Sequence, residues 1–171
     1  MKEIPTSVKL RALEPEDLDF LYSLENDPEY WDVGNTNVPY SHFSLTNYIM
    51  GSTSDIYGDK QMRLVIENEG KEAVGLLDLF NFDPKHRRAE VGIAVVRKER
   101  GRGLGHAALL KAVDYARQVL HLRQLYAFAN ADNSKSVQLF CGAGFQQGAR
   151  LKQWFYDGDG YQDAIVMQLL L

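Results

Sequence analysis

Arg100-Gly101-Arg102-Gly103-Leu104-Gly105 lies between an apolar run, Val91 to Val96, and a helical pattern that begins at Leu104. A strand, a glycine-rich turn and a helix start together make an anion cradle. Glycines let successive backbone N–H groups converge on a bound group without interference from Cβ, and the first helical turn adds unsatisfied donors and partial positive charge. The chemistry these residues suit is phosphate binding. Two phosphate-binding patterns do not fit. The P-loop needs Gly-Lys-Ser/Thr at the helix start, where this chain has Gly105-His106-Ala107. The dinucleotide fingerprint needs a third small residue three positions after Gly103, where His106 stands. A strand-to-helix turn with no ligand is the plainer reading of the same residues.

A second segment, Asn133-Ser134-Lys135-Ser136-Val137-Gln138-Leu139-Phe140-Cys141-Gly142-Ala143-Gly144-Phe145, follows one helix and one strand later. By itself it reads as a short helix, capped by Asn133 or Ser134 and closed by Gly144. Taken together, Arg100-x-x-Gly103-x-Gly105 and Asn133-x-x-Ser136-x-x-Leu139-Phe140-x-x-x-Gly144-Phe145 resemble the two cofactor motifs of the GNAT acyl-CoA N-acyltransferases. The resemblance implies an α/β (α+β) fold with a mixed, centrally splayed sheet of about six to seven strands flanked by about four helices. It implies acetyl-CoA as cosubstrate and no metal. Backbone groups near Ile93, Val95, Val96 and Arg97 would pair with pantetheine, and Gly101, Arg102, Gly103, Leu104, Gly105 and His106 would take the pyrophosphate, with Arg100 beside them. Asn133 and Ser136 would meet the pantetheine arm and Phe140 the thioester sulfur. Phe140 departs from the tyrosine common in the family, so no hydroxyl at this position can protonate a leaving thiolate. A thiol pKa near ~8.5 already makes thiolate a fair leaving group. Cys141, the only cysteine, points about 100° away along the helix, which argues against a nucleophilic role.

Acyl transfer to an amine sets its own requirement. An alkyl ammonium of pKa ~10.4 must lose a proton before it can attack, at a cost of roughly 4–5 kcal/mol near neutrality. Glu90, in the strand that leads to the glycine loop, resembles the base glutamate of the histone acetyltransferase branch; Asp78, Glu25 and Asp32 are the other candidates. Solvent-facing alternation is the plain alternative for Glu90. Between Glu14 and Asp59 the chain carries ten acidic residues and no Lys or Arg, against a whole-chain net charge of −4. Such a field favours a cationic acceptor and disfavours nucleic acid. Glu25, Asp32 and Trp31 are the candidate acceptor residues, and Tyr30, Tyr40 and Phe43 either line the same cleft or belong to the core. The tail, Trp154-Phe155-Tyr156 to Tyr161-Gln162-Asp163, is similar to the ends of the spermidine and ribosomal-protein N-terminal acetyltransferases. It implies a polyamine-like acceptor, or a protein α-amine. With Phe140 in place, a non-catalytic acetyl-CoA sensor is the reading from another class.

The elements that must position these groups follow from periodicity and punctuation. Val8 to Leu13 alternates like a strand, and Pro15 with Glu16 and Asp17 starts a helix to about Glu25. Ser41 caps a second helix ending at Gly51. Met62 to Glu67 and Val74 to Phe82 form a hairpin about Asn68-Glu69-Gly70, and Ala89 to Val96 is the next strand. Leu104, Ala108, Leu109, Ala112, Val113 and Ala116 make one helical stripe. Leu125 to Ala129 is a strand, and Ala149 to Tyr156 with Tyr161 to Leu170 forms a last hairpin. The crossover from residue 96 to 125 requires a parallel pairing. With 171 residues, 45% of them hydrophobic, the chain is expected to be one domain, 1–171. One cysteine and no signal-like or membrane-length apolar run suggest a cytoplasmic protein, and the apolar end Gln168 to Leu171 suits a core edge or a homo-oligomer contact.

Overall fold

Alternation along the hairpin of residues 62–83 decides the layering: Val65 and Leu76 face one way, Ile66, Leu77 and Leu79 the other, so both faces of the sheet must be covered. The computed structural model describes residues 7–31, 37–53 and 55–171. Chain order runs β1 (Val8–Ala12), a 3-10 turn (Pro15–Asp17), α1 (Leu18–Glu25), α2 (Pro28–Trp31), α3 (His42–Gly51), α4 (Ile56–Asp59), β2 (Met62–Asn68), β3 (Ala73–Asp83) and β4 (Arg88–Val95). It continues through a 3-10 turn (Arg97–Glu99), α5 (Leu104–Gln118), β5 (Gln124–Asn130), α6 (Ser134–Gly142), β6 (Gln146–Tyr156) and β7 (Tyr161–Leu170). The strands form one sheet in the order β1-β2-β3-β4-β5-β7-β6. All neighbours are antiparallel except β4 and β5, which α5 connects as the required crossover. Helices α5 and α6 pack on one face through Leu104, Leu109, Val113 and Phe140, and α1 and α3 pack on the other through Leu21, Leu24, Leu45 and Ile49.

The elements depart from the periodicity reading chiefly in three respects, each for a local reason. The helix expected from Pro15 begins as a 3-10 turn and becomes α-helical only at Leu18. Asp17 accepts from Glu14 N–H at 2.9 Å and from both terminal nitrogens of Arg11 at 2.7 and 2.9 Å, which ties this first turn down to β1. The last hairpin starts at Gln146 rather than Ala149, because Gln146 and Gln147 already pair with Gln168 and Met167 before a bulge at Arg150. Helices α2 and α4 are additional single turns of four residues, too short to leave a 3.6-residue pattern.

Candidate functional site

The parallel pairing of β4 with β5 is confined to Arg88–Gln124, Ala89–Leu125 and Glu90–Tyr126. Beyond Glu90 the two strands separate and a slot opens between them. Val96 N–H donates to Val74 at 2.9 Å and Val95 stands opposite Gly75, so the antiparallel alternation turns the backbone groups of Val95, and of Ile93 two residues earlier, toward the slot. The Val95 carbonyl accepts from Arg100 Nε at 2.9 Å and from the Tyr30 hydroxyl at 3.1 Å.

At the open end of the slot, Gly101 and Gly103 adopt φ values of +76° and +78°. A Cβ at Gly101 would meet nothing within 4 Å, so backbone conformation rather than crowding calls for glycine there. Gly103 is the N-cap of the 15-residue α5 and supplies no side-chain cap, which leaves the first-turn N–H groups of Leu104, Gly105 and His106 directed into the loop. Gly105 seats this helix start on Val95 and Ile93, where its missing Cβ would lie 3.5 and 3.8 Å from their side chains. Loop and slot together fit a pyrophosphate and an extended amide-bearing arm.

The basic side chains of the loop are placed differently from its backbone. Arg100 Nη1 donates to Glu29 Oε1 at 2.5 Å, its guanidinium carbon lies 5.2 Å from the Tyr30 ring centre, and Arg97 approaches the other Glu29 oxygen at 3.3 Å. Arg102 bonds Glu99 at 2.6 Å. Arg100 therefore ties α2 to the end of β4. The His106 ring nitrogen Nε2 lies 3.1 Å from the Gly142 carbonyl, which links α5 to the end of α6. Asn133 Oδ1 accepts the Ser136 N–H at 3.0 Å as the N-cap of α6. Phe140 is 4% exposed, with its ring edge-on to Phe145 at 5.2 Å.

Across the sheet, a cavity of about 440 Å³ is lined by Glu25, Tyr30, Trp31, Tyr40, Tyr48, Arg63, Asp78 and Phe80, with Gly92, Ile93 and Ala94 of β4 as one wall. Trp31 is held by a 2.8 Å bond from Nε1 to the Glu25 carbonyl. Phe43 belongs neither here nor in the core: α3 buries Leu45 and Ile49, and Phe43 is 75% exposed on the opposite side. Asp32 lies outside the described residues. Several carboxylates of the acidic segment have basic partners from other elements: Asp17 pairs with Arg11, Glu25 with Arg63, and Glu29 with Arg97 and Arg100. Asp78 has both oxygens bonded by Arg63, at 2.8 and 2.9 Å, so its charge is already paired with a guanidinium.

Glu90 follows Ala94 and Gly92 along the same face of β4. It is half-buried, flanked by Phe80 on β3 and Tyr126 on β5, and its Oε2 accepts from Asn81 Nδ2 at 2.9 Å. Burial raises its pKa above the usual glutamate range, and the Asn81 bond only partly opposes this. Burial also raises the Tyr126 pKa, with the Glu90 charge adding to it. A half-buried carboxylate with raised basicity, beside the point where two strands part, is suited to proton transfer. Arg63, Asn81 and Tyr126 are site residues that motif reading missed. Only Asn81, a polar residue between Phe80 and Phe82, leaves a trace in the sequence; in the structure its φ is +48°.

The model of the acetyltransferase (GNAT) domain matches residues 7–146. This chain belongs to the GNAT acetyltransferase family. The GNAT chain is 29% identical over 168 residues to the spermidine N(1)-acetyltransferase of Vibrio cholerae, covering 96% of this chain and 94% of the relative. It is 33% identical over 164 residues to the Escherichia coli K12 enzyme of that name, covering 94% and 84%. A structure of the Vibrio cholerae spermidine N-acetyltransferase in complex with CoA and spermine superposes with a TM-score of 0.84 at 29% identity, over 95% of each chain. A dodecameric structure of that enzyme superposes at 0.79 with 28% identity, over 95% and 93%. The GNAT chain is thus an acetyltransferase with the mixed, splayed-sheet fold of this family, which takes precedence over a sensor module. Among the described residues no three His, Cys, Asp or Glu side chains form a group able to hold a metal ion, and no helix is long and apolar enough to cross a membrane.

Proposed function

We propose that the chain, as one domain over residues 1–171, acetylates a primary amine of a polyamine or similar small polycation. Acetyl-CoA, when bound, supplies the activated acetyl group. The observation that carries this reading is the aromatic-walled cavity with unequal carboxylate and guanidinium content, which shares β4 with the slot and whose Phe80 stands opposite Glu90. The loop from Gly101 to His106 holds the pyrophosphate on its N–H groups, and slot-facing groups of Ile93 and Val95 pair with the arm. Asn133 adds the amide hydrogens of Nδ2 that its capping oxygen leaves available. The amine nitrogen attacks the thioester carbonyl carbon, the C–S bond breaks, and the amine proton passes to Glu90 directly or through one water. Slot N–H groups stabilise charge on the carbonyl oxygen. Phe140 supplies no proton, so the thiolate leaves as such and takes its proton from solvent. Glu25 and Trp31 hold a second, protonated nitrogen of the acceptor.

The identity of the cosubstrate and acceptor in the Vibrio cholerae complex supports this reading, and its dodecameric form supports self-association here. The exposed aromatics Trp154, Tyr156 and Tyr161 on the β6–β7 hairpin are suited to such contacts. Thiol release from acetyl-CoA, measured over linear monoamines, diamines, triamines and a peptide with a free α-amine, tests the acceptor. Polyamines are expected to give the highest kcat/KM, and a preference for the peptide overturns the proposal in favour of N-terminal acetylation.

A further inference from the structure

Among the described residues that line the acceptor cavity, Arg63 is the one cation. It projects from β2 directly opposite Asp78 on β3, and Glu25, the last residue of α1, closes over both. Nε and Nη2 donate to the two oxygens of Asp78 at 2.8 and 2.9 Å, and Nη1 donates to Glu25 Oε1. The guanidinium carbon lies 5.7 Å from the Tyr48 ring centre. Burial opposes this charge, yet the two carboxylates outweigh it and raise the Arg63 pKa, so the group is permanently cationic.

The lone pairs around Arg63 are unevenly used. Asp78 has both oxygens engaged and already satisfies the guanidinium fork in the bidentate geometry that arginine favours. Glu25 is surplus to that need, and its Oε2 accepts no hydrogen bond from any described residue. Two carboxylates and one guanidinium leave the cavity a formal charge of −1, and Glu25 Oε2 is the carboxylate oxygen there that no described residue bonds.

We propose that Arg63 is a specificity-determining residue, which by pairing its charge with Asp78 leaves the cavity one uncompensated ammonium position, at Glu25 Oε2. The inference rests on the amine-acceptor reading. A monoamine delivers its only nitrogen, deprotonated, to the reacting position near Glu90 and leaves Glu25 unmet. A diamine or longer chain places a second nitrogen, still protonated, on Glu25. A further ammonium finds Arg63 instead of a carboxylate, so nitrogens beyond the second stay outside the cavity and add little to selectivity.

The test is the ratio of kcat/KM for a linear triamine to that for a linear monoamine, in a series of cavity charges. Asp78→Asn neutralises the cavity and is expected to lower the ratio about tenfold, the worth of one charged hydrogen bond. Glu25→Gln, which leaves the Arg63–Asp78 pair intact, is expected to lower it equally. Asp78→Asn combined with Arg63→Gln restores −1 through Glu25 alone and is expected to recover the ratio, although it removes the clamp entirely. A clamp that only holds α1 to the sheet predicts the reverse: lower Tm in the double variant and no recovery. An unchanged ratio in both single variants, or no recovery in the double, overturns the assignment. If the wild type releases no thiol with any of the amines, the acceptor reading fails separately. Calorimetric Kd values for the triamine and monoamine across the same four proteins then decide the Arg63 assignment without turnover.

Discussion

The two sides of β4 are built by different means. On the slot side the groups proposed for recognition are backbone: the slot-facing edge of Ile93 and Val95, and N–H groups turned by two glycines and a helix start, all within about a dozen consecutive residues. On the cavity side the groups are side chains, gathered from α1, α2, α3, β2 and β3. Backbone conformation recognises what does not vary, and its requirements appear in the chain as glycine positions and spacing. A pocket assembled from distant side chains recognises what does vary, and each of its residues has an ordinary explanation when read in sequence.

The largest effect expected is at the residue where the two sides meet. Glu90→Gln is predicted to lower kcat by roughly 10²- to 10³-fold, as loss of a general base does, while the KM for acetyl-CoA stays fixed. Because its pKa is raised, ionised Glu90 contributes no stability at neutral pH: whatever it contributes is present below the ordinary glutamate range and lost as pH rises through its raised value. The Tm of the variant at pH 7 is therefore predicted to equal or exceed that of the wild type. Full activity in Glu90→Gln would reassign the base.

Gly103→Val separates the two sides. A β-branched residue at φ +78° costs about 1–2 kcal/mol, so the KM for acetyl-CoA is predicted to rise about tenfold with little change in the KM for amine. Equal changes in both would mean that the sides are not independent. Arg100→Ala approaches the same boundary from a side chain that spans it. Removing its bonds to Val95 and Glu29 is predicted to shift both KM values by roughly threefold, in line with about 0.5–1 kcal/mol for a partly exposed pair, and initial-rate kinetics against each substrate would register it.

The smallest effect concerns the support of the acceptor side. Arg11 holds the Asp17 carboxyl below the usual carboxylate range, with the Glu14 N–H adding to it and burial opposing. A depressed pKa stabilises the fold above the unfolded-state value and ceases to do so as pH falls through the folded-state value. Asp17→Asn is predicted to cost about 1 kcal/mol at pH 7, read as a lower Tm, and to converge on the wild type in acid.

Legibility divided along the same line. Val91 to Gly105 and Asn133 to Phe145 were readable because their signals are local: positive-φ glycines, an Asn cap and a parallel crossover forced by one helix. Glu90 was singled out by its place in the strand that leads to the glycine loop and by its resemblance to a base glutamate of the family. Arg63 was not, because its partners are 15 and 38 positions away and only the β2–β3 register and the end of α1 bring them together. The acidic run of Glu14 to Asp59 overstated the field at the site, since the arginines that neutralise parts of it come from β1, β2 and the residues after β4. Phe43 was misplaced because an aromatic beside an N-cap gives no hint of which way a ten-residue helix turns.

A sheet that splits in its interior exposes two new edges where a closed sheet would have none. An unpaired β edge is a template for another chain, and proteins commonly shield such edges with charge, bulk or a covering segment. Arg100 and Tyr30 do all three at Val95: a cation and a ring cover its carbonyl, and α2 comes with them. Arg100 and Tyr30 are thus placed to shield this edge as well as to shape the slot. An enzyme deprived of them would become more dependent on its cosubstrate to remain monodisperse.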